Sequence, residues 1–501
     1  MMGIIKVSLK NHAMLYVECE QDVSQELCDY FTFYVPGYKF MPSYKNKMWD
    51  GKIRLFSLYN RELPGGLLKY VIKFSRERNY SIEYIDNPEY GIPNKKTHVA
   101  MDKLIENMTI TSGSKPIVHH DYQLEGIKYG IEHGRSLLVS PTGSGKSLII
   151  YTIARWFLSD NSDSDILIIV PTTSLVEQLY KDFGDYSEFD DGFDVLSACH
   201  KIYSGSDKGV RKRITISTWQ SIYKLKQAWF DRFGMVVGDE AHNFKAKSLI
   251  SILSKCINAK YRYGTTGTLD GTETHKLVLE GYFGPAHYVT TTKTLMDRGD
   301  LATLDIAILL LKYKKDIRSK ITKGLTYQEE IDYIVQYPER NKFISRLALK
   351  QEGNTLILFQ FVQKHGVPLY NLVQSMVKND RKIFFVSGST DVETREQTRS
   401  IVERERDAII VASMGTFSTG INIKNLHNII FASPSKSQIR VLQSIGRGLR
   451  KSDNGKDTKL FDIADDLSWK KHRNYTLLHS AERIKIYTKE KFKFKVHEIN
   501  I

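Results

Sequence analysis

Apolar residues fall in short runs separated by stretches with helical spacing. From 121 to about 292 the runs are 136–140, 166–171, 214–218, 235–239 and 262–266. Most close on Gly, Pro, Thr or Asp, and several lead into a helical pattern. That rhythm predicts βαβ units on a parallel sheet. After 293 the pattern restarts, with runs at 355–359, 383–387, 408–412, 428–432 and 458–463 alternating with helices. A mostly helical stretch, 314–350, lies near its start. The fold class is therefore α/β, two parallel-sheet domains in tandem. Residues 1–98 read differently. Strand-like runs at 4–9, 14–18 and 52–58 mix with helical patterns around 23–34 and 67–78, punctuated by Pro36-Gly37 and Pro64-Gly65-Gly66. A small α+β domain over 1–98, a linker over 99–116 and α/β domains over 117–292 and 293–501 follow, with a helix-like, basic tail over 469–495.

Composition narrows the function. The chain has 501 residues, 41% hydrophobic and 26% charged, which suits a globular protein with sizeable cores. Lys and Arg exceed Asp and Glu by 72 to 57, a net charge of +15 that calls for a polyanionic partner. Twelve prolines and 33 glycines exclude a collagen-like or disordered chain. The four cysteines, Cys19, Cys28, Cys199 and Cys256, form no C-x-x-C pair and suit a reducing cytoplasm. The longest apolar runs are far shorter than the ~20 residues that cross a bilayer, and the N-terminus lacks a signal-peptide core. A cytoplasmic location with no membrane contact is expected.

Three segments carry chemistry. Ser140-Pro141-Thr142-Gly143-Ser144-Gly145-Lys146-Ser147 follows an apolar strand and opens an apolar helix. Glycines allow successive N–H groups to converge on phosphate oxygens, and the helix start adds partial positive charge. Lys146 would reach the β- and γ-phosphates and Ser147 would ligate magnesium. Ser140 stands where the usual G-x-x-x-x-G-K-[ST] string has its first glycine. The second segment, Val236-Val237-Gly238-Asp239-Glu240-Ala241-His242, delivers two acids to the end of a strand, where parallel sheets bind ligands. Asp239 would hold magnesium, and Glu240 would orient and deprotonate an attacking water. The third, 441–450, places Arg447 and Arg450 three apart. Such guanidiniums suit γ-phosphate and transition-state charge, though the same pattern also makes a solvated basic helix face.

Taken in order, these segments resemble superfamily-two helicases and translocases. Tyr122-Gln123 resembles the adenine-reading Q motif, SPTGSGKS motif I, IVPTTSLVEQ (169–178) motif Ia, ISTWQS (216–221) the next DNA-facing motif and DEAH (239–242) motif II. Thr266-Gly267-Thr268 stands where motif III is usually Ser-Ala-Thr. NTLILFQFVQ (354–363), IIVASMGTFSTGINI (409–423) and QSIGRGLR (443–450) resemble motifs IV, V and VI. A narrower resemblance, to the recombination helicases of tailed phages, covers essentially the whole chain. It includes YKFMPSYKNKMWDGKIRLF (38–56), KTLMDRGDLATL, LTYQEEI and VSGSTDVETR.

The resemblance implies two RecA-like domains that sandwich ATP and magnesium in a DNA motor acting on branched DNA: Holliday junctions, stalled forks, D-loops and R-loops. It implies roles in phage recombination, repair and replication, in the host bacterial cytoplasm. Lys146, Ser147, Asp239 and Glu240 would come from the first domain, and Gln443, Arg447 and Arg450 from the second. Thr142, Gly143, Ser144 and Gly145 would line the phosphates. Gln123 would read the adenine edge, Tyr122 would shape its pocket, and Thr419 and Gly420 would couple nucleotide state to the strand. Thr172, Thr173, Thr218, Trp219, Gln360 and Ser418 would contact DNA phosphates. Binding is then structure-selective and salt-dependent. Oligomeric state and protein partners stay open, a monomer sufficing.

The N-terminal domain adds a second clue. Lys39, Lys45, Lys47, Lys52 and Arg54 interleave with Tyr38, Phe40, Tyr44, Trp49 and Phe56, opposed by Asp50 alone. Basic and aromatic residues together suit backbone neutralisation and base stacking. The aromatics equally suit a small core. The expectation is that Lys39, Lys45, Lys47, Trp49, Lys52 and Arg54 grip duplex arms, and that removing 1–98 weakens junction binding while sparing basal ATP hydrolysis. The basic aromatic run 485–495 suits packing on the second domain as well as it suits DNA. His119 and His120 lie near the nucleotide pocket or at the surface. An RNA helicase with the same engine is the alternative reading. A non-catalytic ATP clamp is disfavoured by the presence of Lys146, Glu240, Arg447 and Arg450, and no surplus acidic cluster suggests a nuclease.

Overall fold

The structure, a computed structural model, describes residues 3–501 except 86–90, 96, 161–162, 245–246, 270, 322–324, 379–380, 421–422, 424, 435–436, 438–440, 443, 447–448 and 450–456. The side chains of His98, Val392, Ser418 and Thr419 are also outside it. Two compact units emerge, 1–140 with 145–289 and 141–144 with 290–501.

The first unit begins with a four-stranded sheet in the order Glu62–Pro64, Met14–Glu18, Ile4–Leu9, Ser81–Tyr84. Alternation buries Ile5, Val7, Leu15 and Val17 on one face. Helices Gln21–Tyr30 and Leu68–Arg78 cover that face with Val23, Leu27, Cys28, Leu68, Val71 and Phe74. Phe56 belongs to this core, so it is not part of an exposed aromatic array. The strand pair Thr32–Tyr34 and Lys52–Arg54 projects a 17-residue tip.

This small domain shares its core with the next. Leu277, on helix Glu273–Phe283, packs in the small domain's apolar cluster. The Glu280 carboxylate on that helix accepts hydrogen bonds from Tyr70, from Lys69 (3.1 Å) and from the Ala286 N–H (2.8 Å). The stretch 99–116, read as a linker, is ordered structure. It holds most of helix Thr97–Asn107 and a hairpin of Thr111–Ser112 with Lys115–Pro116. Buried Met101 and Ile110 anchor it, and Gly113 N–H donates to Asp185 at 2.8 Å. Its polar composition hid the two apolar anchors.

The large sheet of this unit has seven parallel strands in the order Cys199–Ile202, Ile214–Thr218, Asp165–Val170, Phe233–Asp239, Tyr261–Thr266, Arg135–Val139, Ala286–Tyr288. Its central strands are buried on both faces, hence their unbroken apolar runs. The second unit repeats the plan. Its parallel order is Ile383–Val386, Ile409–Ser413, Thr355–Phe359, Asn428–Phe431, Thr458–Asp466, Leu304–Lys312, Phe494–Asn500. The 314–350 stretch is three helices, Lys315–Ile321, Tyr327–Gln336 and Pro338–Lys350. The tail corrects the helical expectation: helix Tyr475–Lys489 is followed by a strand, Phe494–Asn500, on the sheet edge. Most of its residues are exposed, Val496 included, as an edge strand allows.

Buried charge pairs hold the second sheet to its helices. Asp462 accepts from Arg483 and Tyr487, and Asp465 accepts from Arg340 (2.8 Å) and Tyr313 (2.9 Å). Removing one partner would strand a buried charge, a cost of about 3–5 kcal/mol.

Candidate functional site

The loop 140–147 leaves the carboxyl end of strand Arg135–Val139 and enters helix Lys146–Asp160. Gly143 and Gly145 have φ of +87° and +79°, a region that side chains avoid. A Cβ on Gly145 would lie 2.2 Å from Gln123 Nε2. Backbone thus lies bare where phosphates are expected, and Gln123 is placed against it. Lys146 Nζ donates to the Ser140 carbonyl at 3.2 Å. Thr142 and Ser147 are half-buried, Ser144 is buried, and its hydroxyl donates to the Pro141 carbonyl at 2.7 Å.

Gln123 is itself fixed. It lies in the first turn of helix Asp121–His133, and its Oε1 accepts from the His120 N–H at 2.9 Å. Tyr122 is buried and its ring stacks on His120, 5.2 Å between centroids. His119 Nε2 meets Thr152 Oγ1, on the helix that follows the loop, at 2.7 Å. Burial lowers His119 to about 4, so it is a neutral packing group rather than a cation for phosphate.

The two acids stand at the same carboxyl end of the sheet. Strand Phe233–Asp239 pairs with Tyr261–Thr266 so that Asp239 faces Thr265, and Thr265 Oγ1 donates to Asp239 Oδ1 at 2.7 Å. Burial and the adjacent Glu240 push the Asp239 carboxyl above the ordinary carboxylate range, while Lys146 and Thr265 pull it down. Glu240 has φ +49° and ψ +50°, left-handed backbone in a non-glycine residue. Such conformations concentrate at functional sites. His242 Nδ1 lies 3.3 Å from Glu240 Oε2 and 3.0 Å from Thr266 Oγ1. Thr265, Thr266 and His242 therefore belong to the site. Sequence reasoning placed Thr266 and His242 in motifs but gave none of the three a role; strand register was the missing information.

The donor set fits magnesium. Asp239 offers a carboxylate whose charge is disfavoured as it stands, and Ser147 offers a hydroxyl in the first helical turn. Magnesium takes one or two protein oxygens and fills its shell with water and phosphate. Among the described residues no group of three or more His, Cys, Asp or Glu could hold a metal by itself.

Thr172 caps helix Thr173–Tyr186, its hydroxyl accepting from Leu175 N–H at 3.4 Å, and Thr173 is exposed beside it. Thr218 is buried and bonded to Ser221 at 3.0 Å, while Trp219 packs on the core and against Tyr223. Trp219 is half-buried, with part of its ring against the core. In the second unit, exposed Gln360 follows strand Thr355–Phe359. It lines a cavity of about 560 Å³ with Val362, Gly388, Arg395, Ser413 and Thr416. Helix Met414–Gly420 carries Ser418, Thr419 and Gly420. Gln443, Arg447 and Arg450 lie outside the described residues.

In the N-terminal tip, Lys39, Lys45 and Lys47 are exposed. Arg54 is paired with Asp50, and Lys52 lies over the Tyr34 ring at 5.0 Å. Trp49 donates its indole N–H to the Lys52 carbonyl at 2.9 Å and is half-buried, so it braces the tip.

Comparison with known proteins gives a consistent picture. Residues 4–86 match the family model "DNA helicase UvsW, N-terminal", residues 94–271 "Type III restriction enzyme, res subunit" and residues 339–452 "Helicase conserved C-terminal domain". The ATP-dependent DNA helicase UvsW of Enterobacteria phage T4 is 36% identical over 99% of this chain and 100% of its own length. The crystal structure of T4 UvsW matches with a TM-score of 0.53 at 34% identity, covering 100% of both chains. The DNA 3'-5' translocase XPB2 of Sulfurisphaera tokodaii is 24% identical over 80% of this chain and 92% of its own.

Proposed function

We propose, from the premise that this chain belongs to the UvsW family of ATP-dependent DNA helicases, that its ATP-hydrolysing motor remodels branched DNA. The observation that carries the reading is the one carboxyl end of the sheet that holds the loop at Gly145–Lys146 and the Asp239–Glu240–His242 cluster, within electrostatic reach of one another. The domain pattern expected from the sequence, a small α+β domain and two tandem RecA-like sheets, is the family's fold.

In this reading, the amides of 142–147 and the Lys146 ammonium bind the triphosphate, with Gln123 and Tyr122 beside the base. Ser147 and Asp239 would hold magnesium, which when bound neutralises charge on the β- and γ-phosphates. Glu240 orients the attacking water and takes its proton, and His242 with Thr266 sets the angle of that carboxylate. Arg447 and Arg450, with Gln443, complete the site from the second domain. An arginine supplied across such a cleft is worth about 10³–10⁵ in rate. Hydrolysis removes the bridge and the domains shift along DNA, with Thr419 and Gly420 coupling the two events.

DNA contacts at Thr172, Thr173, Thr218, Gln360 and Ser418 involve hydroxyls, amides and helix starts, groups that hold phosphates without reading bases. Lys39, Lys45 and Lys47 add charge from the N-terminal domain. Recombination, repair and replication of phage DNA in the bacterial cytoplasm follow as the setting. Among the described residues no helix is long and apolar enough to cross a membrane.

The test is ATP hydrolysis measured with single-stranded DNA, duplex DNA, a Holliday junction, an R-loop and RNA at one fixed salt. Branched or single-stranded DNA should stimulate most. Stimulation by RNA above all DNA forms would establish the RNA-helicase alternative instead.

A further inference from the structure

The tip between Thr32–Tyr34 and Lys52–Arg54 is ordered without a core of its own. Its backbone is stitched by hydrogen bonds: Val35 N–H to Gly51 O (2.8 Å), Tyr38 N–H to Val35 O (3.0 Å), Lys45 N–H to Met41 O (3.0 Å) and Met48 N–H to Ser43 O (2.9 Å). Tyr38 stacks on Tyr34 with centroids 4.7 Å apart and meets Tyr44 edge-on at 4.8 Å. The Tyr38 ring also lies against Gly51, where a Cβ would approach it to 2.3 Å. The tyrosines and Trp49 build the support. The side chains of Phe40 and Met48 take no part in it. They stand 80% and 75% exposed, with Met41 beside them in sequence also exposed.

Three exposed apolar side chains, Phe40, Met41 and Met48, on one stiff tip mark a contact surface. Charge identifies its occupant. Lys39 flanks Phe40, Lys47 flanks Met48, Lys45 lies between, and all three are exposed. The one acid of the tip, Asp50, is already paired with Arg54. An apolar point ringed by cations matches a nucleic acid whose base stack is open, with phosphates on either side. Proteins that kink duplexes insert Phe, Leu, Ile or Met between base steps in this way.

The geometry points to Phe40, with Met48 exposed on the same tip, as a wedge that stacks on the terminal base pair at a DNA branch point. This rests on the branched-DNA reading above and adds to it the residues that would recognise the branch. Lysines alone would bind any duplex. A rigid apolar point gains only where a base-pair face is uncovered, at a junction centre or fork, so the tip would supply the preference for branches.

The experiment uses the full chain and a Holliday junction carrying 2-aminopurine at the branch point, with a second junction labelled deep in one arm. Wild-type protein should raise branch-point fluorescence and leave the arm label unchanged. Phe40→Ala should lose the branch-point signal and weaken junction binding about 5- to 150-fold, the loss of one to three kcal/mol of stacking. Phe40→Trp should restore both, which excludes a folding defect, and Met48→Ala should give an intermediate loss. Equal branch-point signals from wild type and Phe40→Ala would overturn the wedge. So would sedimentation showing that the wild type self-associates and Phe40→Ala does not, since the tip would then be a face for a second copy. A wild type whose ATP hydrolysis no DNA stimulates would instead overturn the reading beneath it.

Discussion

His242 Nδ1 sits 3.0 Å from Thr266 Oγ1, joining the end of the acidic segment to the end of the neighbouring strand. The same imidazole lies 3.3 Å from Glu240, so a threonine on one strand sets the position of the carboxylate proposed to activate water. Thr266→Val keeps the volume and removes the contact. It should lower kcat on the order of tenfold through misorientation of the base, with ATP affinity little changed, whereas Thr266→Ser should retain activity. Steady-state hydrolysis with saturating DNA measures the split.

Glu240 itself carries the general-base role. Glu240→Gln should reduce turnover by about 10²–10⁴ and leave nucleotide binding intact, as followed with a fluorescent ATP analogue. Turnover equal to wild type would remove Glu240 from the mechanism.

The phosphate loop tolerates no side chain at Gly145. Its φ of +79° and the 2.2 Å approach of Gln123 Nε2 to an added Cβ both oppose alanine. Gly145→Ala should cost about 1–3 kcal/mol of stability and abolish nucleotide binding. Pairing it with Gln123→Ala should recover part of the stability, because the clash is then relieved while the backbone strain stays. Thermal unfolding with and without ATP reads both effects.

The N-terminal domain is tied to the motor through Glu280. Burial and that carboxylate push the Tyr70 hydroxyl far above its usual range, so it donates throughout the accessible pH range. Tyr70→Phe leaves a buried carboxylate short of one donor and should cost about 1–3 kcal/mol. Faster hydrogen exchange in helix Leu68–Arg78 would report it. Deleting 1–98, the experiment the sequence suggests, would also uncover Leu277 and Glu280, so the Tyr70 substitution is the cleaner probe.

Buried histidines set an acid limit. His365 has no exposed surface, bonds Ser433 through Nδ1 and feels Arg340. Burial first, then Arg340, lowers it to about 3. Below pH ~6.5 the unfolded chain protonates this histidine and the folded one does not, so stability falls with pH. The slope approaches ~1.4 kcal/mol per pH unit for His365 between about 6.5 and 3. His12 and His119, each lowered to about 4 by burial, act in the same direction. Denaturation midpoints from pH 7.5 to 5 should decline, and His365→Gln should flatten the decline.

Much of the architecture was legible because it rests on local periodicity. Both parallel sheets, the loop at 140–147 and the acids at 239–240 appear where runs and turn residues place them. Edge strands were less visible. Cys199–Ile202 and Ala286–Tyr288 are short, and Phe494–Asn500 is masked by Lys495, His497 and Glu498, which an edge strand leaves in water. Trp49 was read as a DNA contact because an aromatic beside cations looks the same whether it points outward or inward, and Trp219 because it falls in a segment resembling a DNA-facing motif. Only the fold shows that Trp49 braces its tip and Trp219 packs on the core.

Sequence by itself determined the covalent chemistry and its order: a glycine-rich turn before a lysine and a serine, two acids ending an apolar strand, and cations clustered between Lys39 and Arg54. Tertiary structure decided which groups meet. Thr265 reaches Asp239 through strand register, His242 reaches Thr266 across two strand ends, and Phe40 stands clear of every core. Periodicity is a property of neighbours along the chain, whereas contact between strands depends on register and exposure depends on everything packed around a residue.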